Sequence, residues 1–493
     1  MKKATRSRQT RPSAYGHPLR QLRVALALAL VGLLVVLGAA TAQASGTGGP
    51  GQSKAAPRPN LVFLLADDLR WDATGFAGNP IVRTPHLDSL AKQGTRFSQC
   101  FVTTSICCVS RASIFTGQYA ARHGIHDFDK PLSPVQWADS YPARLRAAGY
   151  RTGFIGKFGV GNAPAVAAMA AQFDFWRGLP GQAGLFFSTN DPTHTHATAR
   201  MGSEGLEFID SATADQPFCL SISFSAPHAR DGERREFCPD DRDTSLYADA
   251  QIPAPDKVGA AWFEQLPAFL QKSEGRPRWQ RRFSTDAMRQ DTTRDYYRLI
   301  SGIDREVGRI MDALRARHLD TNTVLVFASD NGFFLGERGL ADKWLPYEES
   351  MRVPLMIWDG RPGRSQQGKL VDRTVLNVDI APTLLGLAGA PQPVGIQGAS
   401  LMPLLSSSRP AKSWRTEFYY EHRSVPTLIP PSEALRTSRW KYIRWIGQPD
   451  RAEELYDLRA DPQEHRNLAE DRSNARTLRS LRAHCDAMAL ELK

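Results

Sequence analysis

Four short apolar runs in this chain each stop at residues that carry chemistry, and that pattern constrains the fold more than any other feature. Leu61 to Ala66 is a continuous apolar run that halts at Asp67-Asp68. Such a run suits a strand buried on both faces, as parallel sheets require. A second strand is expected from Arg151 to Ile155, ending near Lys157, a third from Phe218 to Phe224, just before His228, and a fourth from Thr323 to Ala328, ending at Asp330-Asn331. Helical signals lie between them. Thr84-Pro85 supplies a cap and a first-position proline, Leu87 and Leu90 an apolar face, and Gly94 a stop. Further helices fit Tyr141 to Ala148 and a long stretch around Tyr296 to Arg317. Strand and helix in alternation predict an α/β sheet. Open sheets of this class build their sites at the carboxyl ends of the strands, where Asp67, Asp68, Lys157, His228, Asp330 and Asn331 all fall. Any one of them alone reads equally well as a turn cap.

The chain has 493 residues, too many for one ordinary domain. Residues 1–44 hold seven basic side chains and no acid, then an apolar run from Val24 to Ala40 closed by Ala42-Gln43-Ala44. This is the pattern of a signal peptide cut after Ala44, which implies export to the periplasm or the medium. The alternative is an uncleaved membrane anchor, since the run is near the lower length for a span. Without that segment the formal charge of +11 falls to about +4. Composition then gives nucleic-acid binding no support. Residues 45–56, rich in Gly, Ser and Ala, read as a disordered leader, and the main domain is expected over 57–405. After Ser406 come short aromatic runs, Phe418 to Tyr420 and Trp440 to Trp445, then a final helix. These predict a small antiparallel sheet subdomain over 406–493. Export makes disulfides possible, with Cys219 and Cys238 as candidates, whereas the neighbouring thiols Cys107 and Cys108 cannot bridge without strain.

The stretch Cys107-Cys108-Val109-Ser110-Arg111-Ala112-Ser113-Ile114-Phe115-Thr116-Gly117 places a nucleophile at the start of a helix. There the free backbone N–H groups and the positive end of the dipole favour a tetrahedral oxyanion. Arg111, one turn on, can offer a cationic fork to the same group. The stretch resembles the signature of the sulfatase family, in which the cysteine is oxidised to formylglycine by a separate maturation enzyme. The resemblance implies an alkaline phosphatase-like fold, a large mixed and mostly parallel sheet flanked by helices. It also implies hydrolysis of sulfate monoesters, with residue 107 modified and Arg111 beside it. A hydrated aldehyde carries two hydroxyls on one carbon, so one can attack sulfur and the other can expel sulfate.

By the same resemblance Asp67, Asp68, Asp330 and Asn331 are cation ligands. Three carboxylates and an amide oxygen make a hard site suited to calcium, with magnesium second. Lys157 and Lys343 match lysines near the sulfate, and His228 matches a histidine near the leaving oxygen. The family commonly has proline or alanine at the position of Val109 and histidine at that of Gly159. Some relatives acting on glucosamine lack that histidine too, and the Ser105-Ile106-Cys107-Cys108 opening resembles theirs. A sulfated glycan is therefore the expected substrate, with a small aryl sulfate second. Near the end, Glu454-Leu455-Tyr456-Asp457-Leu458, Asp461-Pro462-Gln463-Glu464 and Asn467-Leu468 resemble the close of many sulfatases. They read as a strand, then a helix capped by Asp461 with Glu464 completing the box. His123 and His126 are candidates to line the substrate pocket; His194 and His196 read as a loop pair without partners rather than a metal site. Two rival readings stay open: a formylglycine-dependent phosphonate or phosphate ester hydrolase, and a catalytically silent glycan-binding protein, suggested by Val109 and Gly159.

Overall fold

The computed structural model describes residues 57–181, 186–187, 193–213, 215–364, 367–406, 413–448 and 452–493. The expected signal peptide and leader lie outside the described residues. The main sheet has eight strands: β1 (Asn60–Ala66), β2 (Thr95–Phe97), β3 (Arg151–Lys157), β4 (Phe175–Leu179), β5 (Phe218–Ser223), β6 (Thr323–Ser329), β7 (Leu355–Asp359) and β8 (Lys369–Val371). Their spatial order is β8-β2-β7-β6-β1-β5-β3-β4. Pairing is parallel except that β7 runs against both β6 and β2.

Burial explains why β1 lies at the centre. Leu61, Phe63 and Leu65 enter one hydrophobic core, while Val62, Leu64 and Ala66 enter the other, and every residue of the strand is buried. Helices cover both faces, as a two-sided apolar strand demands. They include α1 (Pro85–Gln93), α2 (Cys107–Thr116), α3 (Tyr141–Ala147), α4 (Ala197–Asp210) and α5 (Asp286–Ala316). Helix α5 starts ten residues before the expected Tyr296, capped by Thr285, whose hydroxyl accepts from the Met288 N–H at 3.2 Å.

Strands β9 (Glu417–His422), β10 (Ser432–Thr437), β11 (Trp440–Trp445) and β12 (Glu453–Asp457) form an antiparallel meander in chain order. Helix α6 (Ala475–Glu491) adds Leu478, Leu481 and Cys485 to the core shared by that sheet. A buried ionic cluster ties the meander to the main domain. Glu348 is met by Arg436 at 3.0 Å and by Lys441 at 2.8 Å; Lys441 also pairs with Glu464, and Lys257 with Glu349. The segment 348–351 then reaches the main sheet's edge, where the Ser350 carbonyl accepts from Gly332 N–H at 2.8 Å and from the Ser105 hydroxyl at 3.0 Å.

Two sequence expectations are corrected here. No helix follows Asp461. Its carboxylate instead accepts from Arg466 N–H, and Glu464 takes a left-handed backbone (φ 57°) to bury its side chain against Lys441. Cys219 and Cys238 do not pair, and all six thiols are free. Cys219 faces one core of the sheet, whereas Cys238 packs against the other.

Candidate active site

Register places the site. Ala66 on β1 is paired with Ser329 on β6, and Leu65 with Ser223 on β5, which also pairs with Gly156 on β3. Asp67-Asp68 and Asp330-Asn331 follow these strand ends directly and Lys157 is the last residue of β3, so neighbouring strands deliver them to one point. His228 arrives after a turn in which its N–H bonds the Ser225 carbonyl at 3.1 Å. The Lys343 turn is held by left-handed residues on either side, Asp342 (φ 74°) and Trp344 (φ 80°).

Helix α2 brings the nucleophile. Its cap residue Ile106 is extended, Cys107 is the first helical residue, and the helix ends at left-handed Gly117 (φ 66°), whose N–H bonds the Ser113 carbonyl. All ten helical residues are buried. The Cys107 thiol donates to Asp67 Oδ1 at 3.4 Å.

All nine expected site residues meet here. Lys157 Nζ lies 2.5 Å from Asp67 Oδ2, and Lys343 Nζ lies 2.6 and 2.7 Å from the two oxygens of Asp68. Arg111 points its Nε at Asp330 Oδ2 (2.8 Å) and one Nη at the Lys157 carbonyl (2.7 Å) and the Ser223 hydroxyl. Its other Nη, 3.4 Å from Asp67, is buried without a hydrogen-bond partner. Asp330 Oδ1 accepts from the Asp68 N–H at 3.2 Å. Among the described residues, ligand atoms of Asp67, Asp68, Cys107 and His228 all lie within 4.8 Å of one another. His228 Nε2 is 3.6 Å from Asp68 Oδ2, and Nδ1 lies against the Ala229 carbonyl at 2.5 Å.

Three carboxylates thus face three permanent cations inside a buried space. Burial raises Asp67, but Lys157, His228 and Arg111 more than reverse this and hold it well below the usual range. Asp68 is pushed up to about 6 by burial, against the pull of Lys343, with Asp67 adding to the rise. Asp330 is pushed up to about 7, by burial and then by Asp67. Burial and Lys343 drive His228 down to about 3, so its ring is neutral. Two of the carboxylates therefore lack enough positive charge to ionise readily. A divalent cation would supply that charge. The donor chemistry fits, since Asn331 Oδ1 is a buried oxygen with no hydrogen-bond partner and its neighbours are carboxylates.

Gly159 has a steric reason. It is left-handed (φ 77°), and a Cβ there would press into Arg111 Cδ and approach Arg111 Nε to 3.1 Å. Among the other histidines, buried His123 bonds the Ser113 hydroxyl of α2 through Nε2 at 3.0 Å, and its Nδ1 accepts from Ile125 N–H, so it fixes the helix rather than facing substrate. His126 is partly exposed, with Glu421 and Arg423 among the charges acting on it. His196 is not without partners. It caps α4 by accepting from Thr198 N–H at 3.2 Å, bonds the Cys238 carbonyl and stacks on Phe186; His194 stacks on Phe187.

A parallel sheet that offers cations, carboxylates and a helix N-terminus at one edge defines a class, enzymes acting on tetrahedral oxyanion esters. Comparison with known proteins narrows it. The family described as Sulfatase matches residues 59–390, and N-sulphoglucosamine sulphohydrolase, C-terminal, matches residues 336–490. The N-acetylglucosamine-6-O-sulfatase of Bacteroides thetaiotaomicron is 28% identical over 483 residues, covering 85% of this chain and 84% of the relative. The choline-sulfatase of Rhizobium meliloti is 29% identical over 480 residues, covering 88% of each. A protein solved with its substrate D-glucosamine-2-N,6-O-disulfate superposes with a TM-score of 0.72 at 25% identity, covering 88% of this chain and 98% of the other. The phosphonate monoester hydrolase of Agrobacterium radiobacter shares the fold, with a TM-score of 0.73 at 22% identity over 88% and 96% of the two chains. This chain belongs to the sulfatase family and is a sulfuric ester hydrolase.

Proposed function

We propose that the enzyme hydrolyses a sulfate monoester on a sulfated glycan, with Cys107 oxidised to formylglycine and a calcium ion held by Asp67, Asp68, Asp330 and Asn331. The observation that carries this reading is the meeting of Cys107, at a helix N-terminus, with Asp67 at 3.4 Å and two lysines on the adjoining carboxylates. Formylglycine as its hydrate supplies a hydroxyl to attack sulfur and a second to expel sulfate. The cation supplies charge that draws in the sulfuryl oxygens and favours an ionised hydroxyl.

The chain's own groups do the rest. Backbone N–H groups at the start of α2 face the oxyanion. Lys157 and Lys343 stabilise sulfuryl oxygens, aided by the one guanidinium nitrogen of Arg111 that has no hydrogen bond. The remainder of Arg111 holds Asp330 and the end of β3 in place. His228 stands beside the leaving group with its one ring proton held on Nδ1 by the Ala229 carbonyl, so Lys343 is the group whose ammonium offsets the charge that develops there and can give the leaving oxygen its proton. Export behind residues 1–44, oxidation by a separate maturation enzyme, and division into 57–405 and 406–493 belong to the same reading. The glycan preference is supported by the relative named N-acetylglucosamine-6-O-sulfatase and by the substrate-bound neighbour.

Mass spectrometry of the Cys107 peptide from active enzyme should find an aldehyde where the thiol stood. A thiol fully retained in active protein would sink the mechanism. A phosphonate ester hydrolase is the second reading, favoured by the fold shared with such an enzyme. Matched sulfate and phosphonate esters of one alcohol separate the two.

A further inference from the structure

The Glu454 to Asn467 stretch, so far only architectural, walls a cavity of about 510 Å³ together with the segment 262–267. That volume lies in the range of small-molecule sites. Its lining shares no residue with the catalytic cluster. Trp262, Tyr347, Trp445 and Tyr456 give it aromatic walls. Three of these rings are fixed by one carboxylate: Glu454 accepts from the Tyr347 hydroxyl at 2.9 Å, the Tyr456 hydroxyl at 2.7 Å and the Trp445 indole at 2.9 Å.

Arg338 also lines the cavity, 5% exposed and on a left-handed backbone (φ 59°). Its guanidinium sits 4.2 Å over the Tyr347 ring and gives one bond to the Glu464 carbonyl at 2.7 Å. Its buried Nε–H has no acceptor, and among the described residues no carboxylate lies within ion-pair distance of it. A buried donor left in this state costs about 1–3 kcal/mol. An oxygen brought by a ligand would remove that cost.

We infer that this cavity is a second, non-catalytic site that binds an uncharged saccharide ring. Rings with polar edges suit a ligand that has one apolar face and a hydroxylated rim. Charge selects within that class. Arg482 pairs with Glu453, but Glu454 and Glu470 still face the single lining arginine, which disfavours a sulfated or carboxylated ring, while a cationic ligand would meet Arg338. The exposed Gln265 amide can reach hydroxyls on the rim. The inference goes beyond the proposed reaction and needs no turnover.

The test is a titration of the full chain with an unsulfated N-acetylglucosamine tetrasaccharide, followed by tryptophan fluorescence and calorimetry. Saturable binding is expected, weakened at least tenfold in Trp262→Ala and several-fold in Gln265→Ala. Turnover of a small aryl sulfate should be unchanged in both variants, which also reports that they are folded. Absence of saturation, or unaltered affinity in both variants, would overturn the second site. Failure to hydrolyse sulfate esters would count against the proposed function alone.

Discussion

The stretch of chain from Asp330 to Glu349 feeds two buried ionic clusters built from the same side-chain chemistry, and they settle in opposite ways. In the junction cluster, burial is outweighed by Arg436 and Lys441, so Glu348 is held well below the usual carboxylate range; Lys257 and Arg338 bring Glu349 down to about 2. In the catalytic cluster, Asp68 and Asp330 rise to about 6 and 7 because burial is not matched by the cations in reach. At Glu348 and Glu349 the first is compensated from within the chain, while burial raises Glu464, and the cluster serves to join a sheet to a domain. The second is left short of positive charge, and its unpartnered atoms include the Asn331 amide oxygen, a hard neutral donor of the kind a cation takes. What separates the two is therefore the charge balance at Glu348 and Glu349 against that at Asp68 and Asp330, since both clusters are buried and both hold atoms without hydrogen bonds, Glu349 Oε2 and Arg338 Nε among them.

The contrast is broken most forcefully at Lys441. Lys441→Met removes a partner of buried Glu348, whose carboxyl is held low by Arg436 and this lysine, and should cost about 3–5 kcal/mol of unfolding free energy. The rate per folded molecule should stay within about twofold. Urea unfolding and kcat measured together check this, and a lost rate with intact stability would erase the distinction. Lys343→Met is the mirror experiment. Here kcat should fall about 10²–10³-fold. The melting temperature should move by only a few degrees, because Asp68, already raised to about 6, can take up a proton when its partner leaves.

The smallest expected effect is on pH dependence. Glu349 has a folded pKa near 2 against 4.5, so the unfolded chain binds more protons between those values. The stability this group contributes is complete above pH 4.5 and is lost as pH falls toward 2. The gap in urea midpoint between the wild type and Glu349→Gln should therefore close over that window. A gap that widened on acidification would show the sign to be wrong.

Much of the main sheet was legible because its central strands are buried on both faces and so read as unbroken apolar runs. The polar residues that end those runs were legible for the same reason, and they are the ones that meet around Cys107. Edge elements were not. Strand β4 (Phe-Trp-Arg-Gly-Leu) is only partly buried and carries an arginine, and the first turns of α5 are so rich in Asp and Arg that their periodicity is hidden. Glu464 misled because a capping pattern is local, whereas its true partner, Lys441, is on another strand. His196 has two local signals, a helix following it and a threonine two residues on, that identify it as a cap. Arg338 and the cavity beside it gave no signal, since their character depends on which residues from distant segments come together.

The fit between Gly159 and Arg111 limits the paths open to this enzyme. A side chain gained at 159 requires Arg111 to shift, because its Cδ lies in the way and its Nε anchors Asp330. The left-handed backbone at 159 adds strain to any side chain gained there. Selection or laboratory evolution starting from this sequence is thus steered toward other means of moving the proton, in the loops around His228 and Lys343.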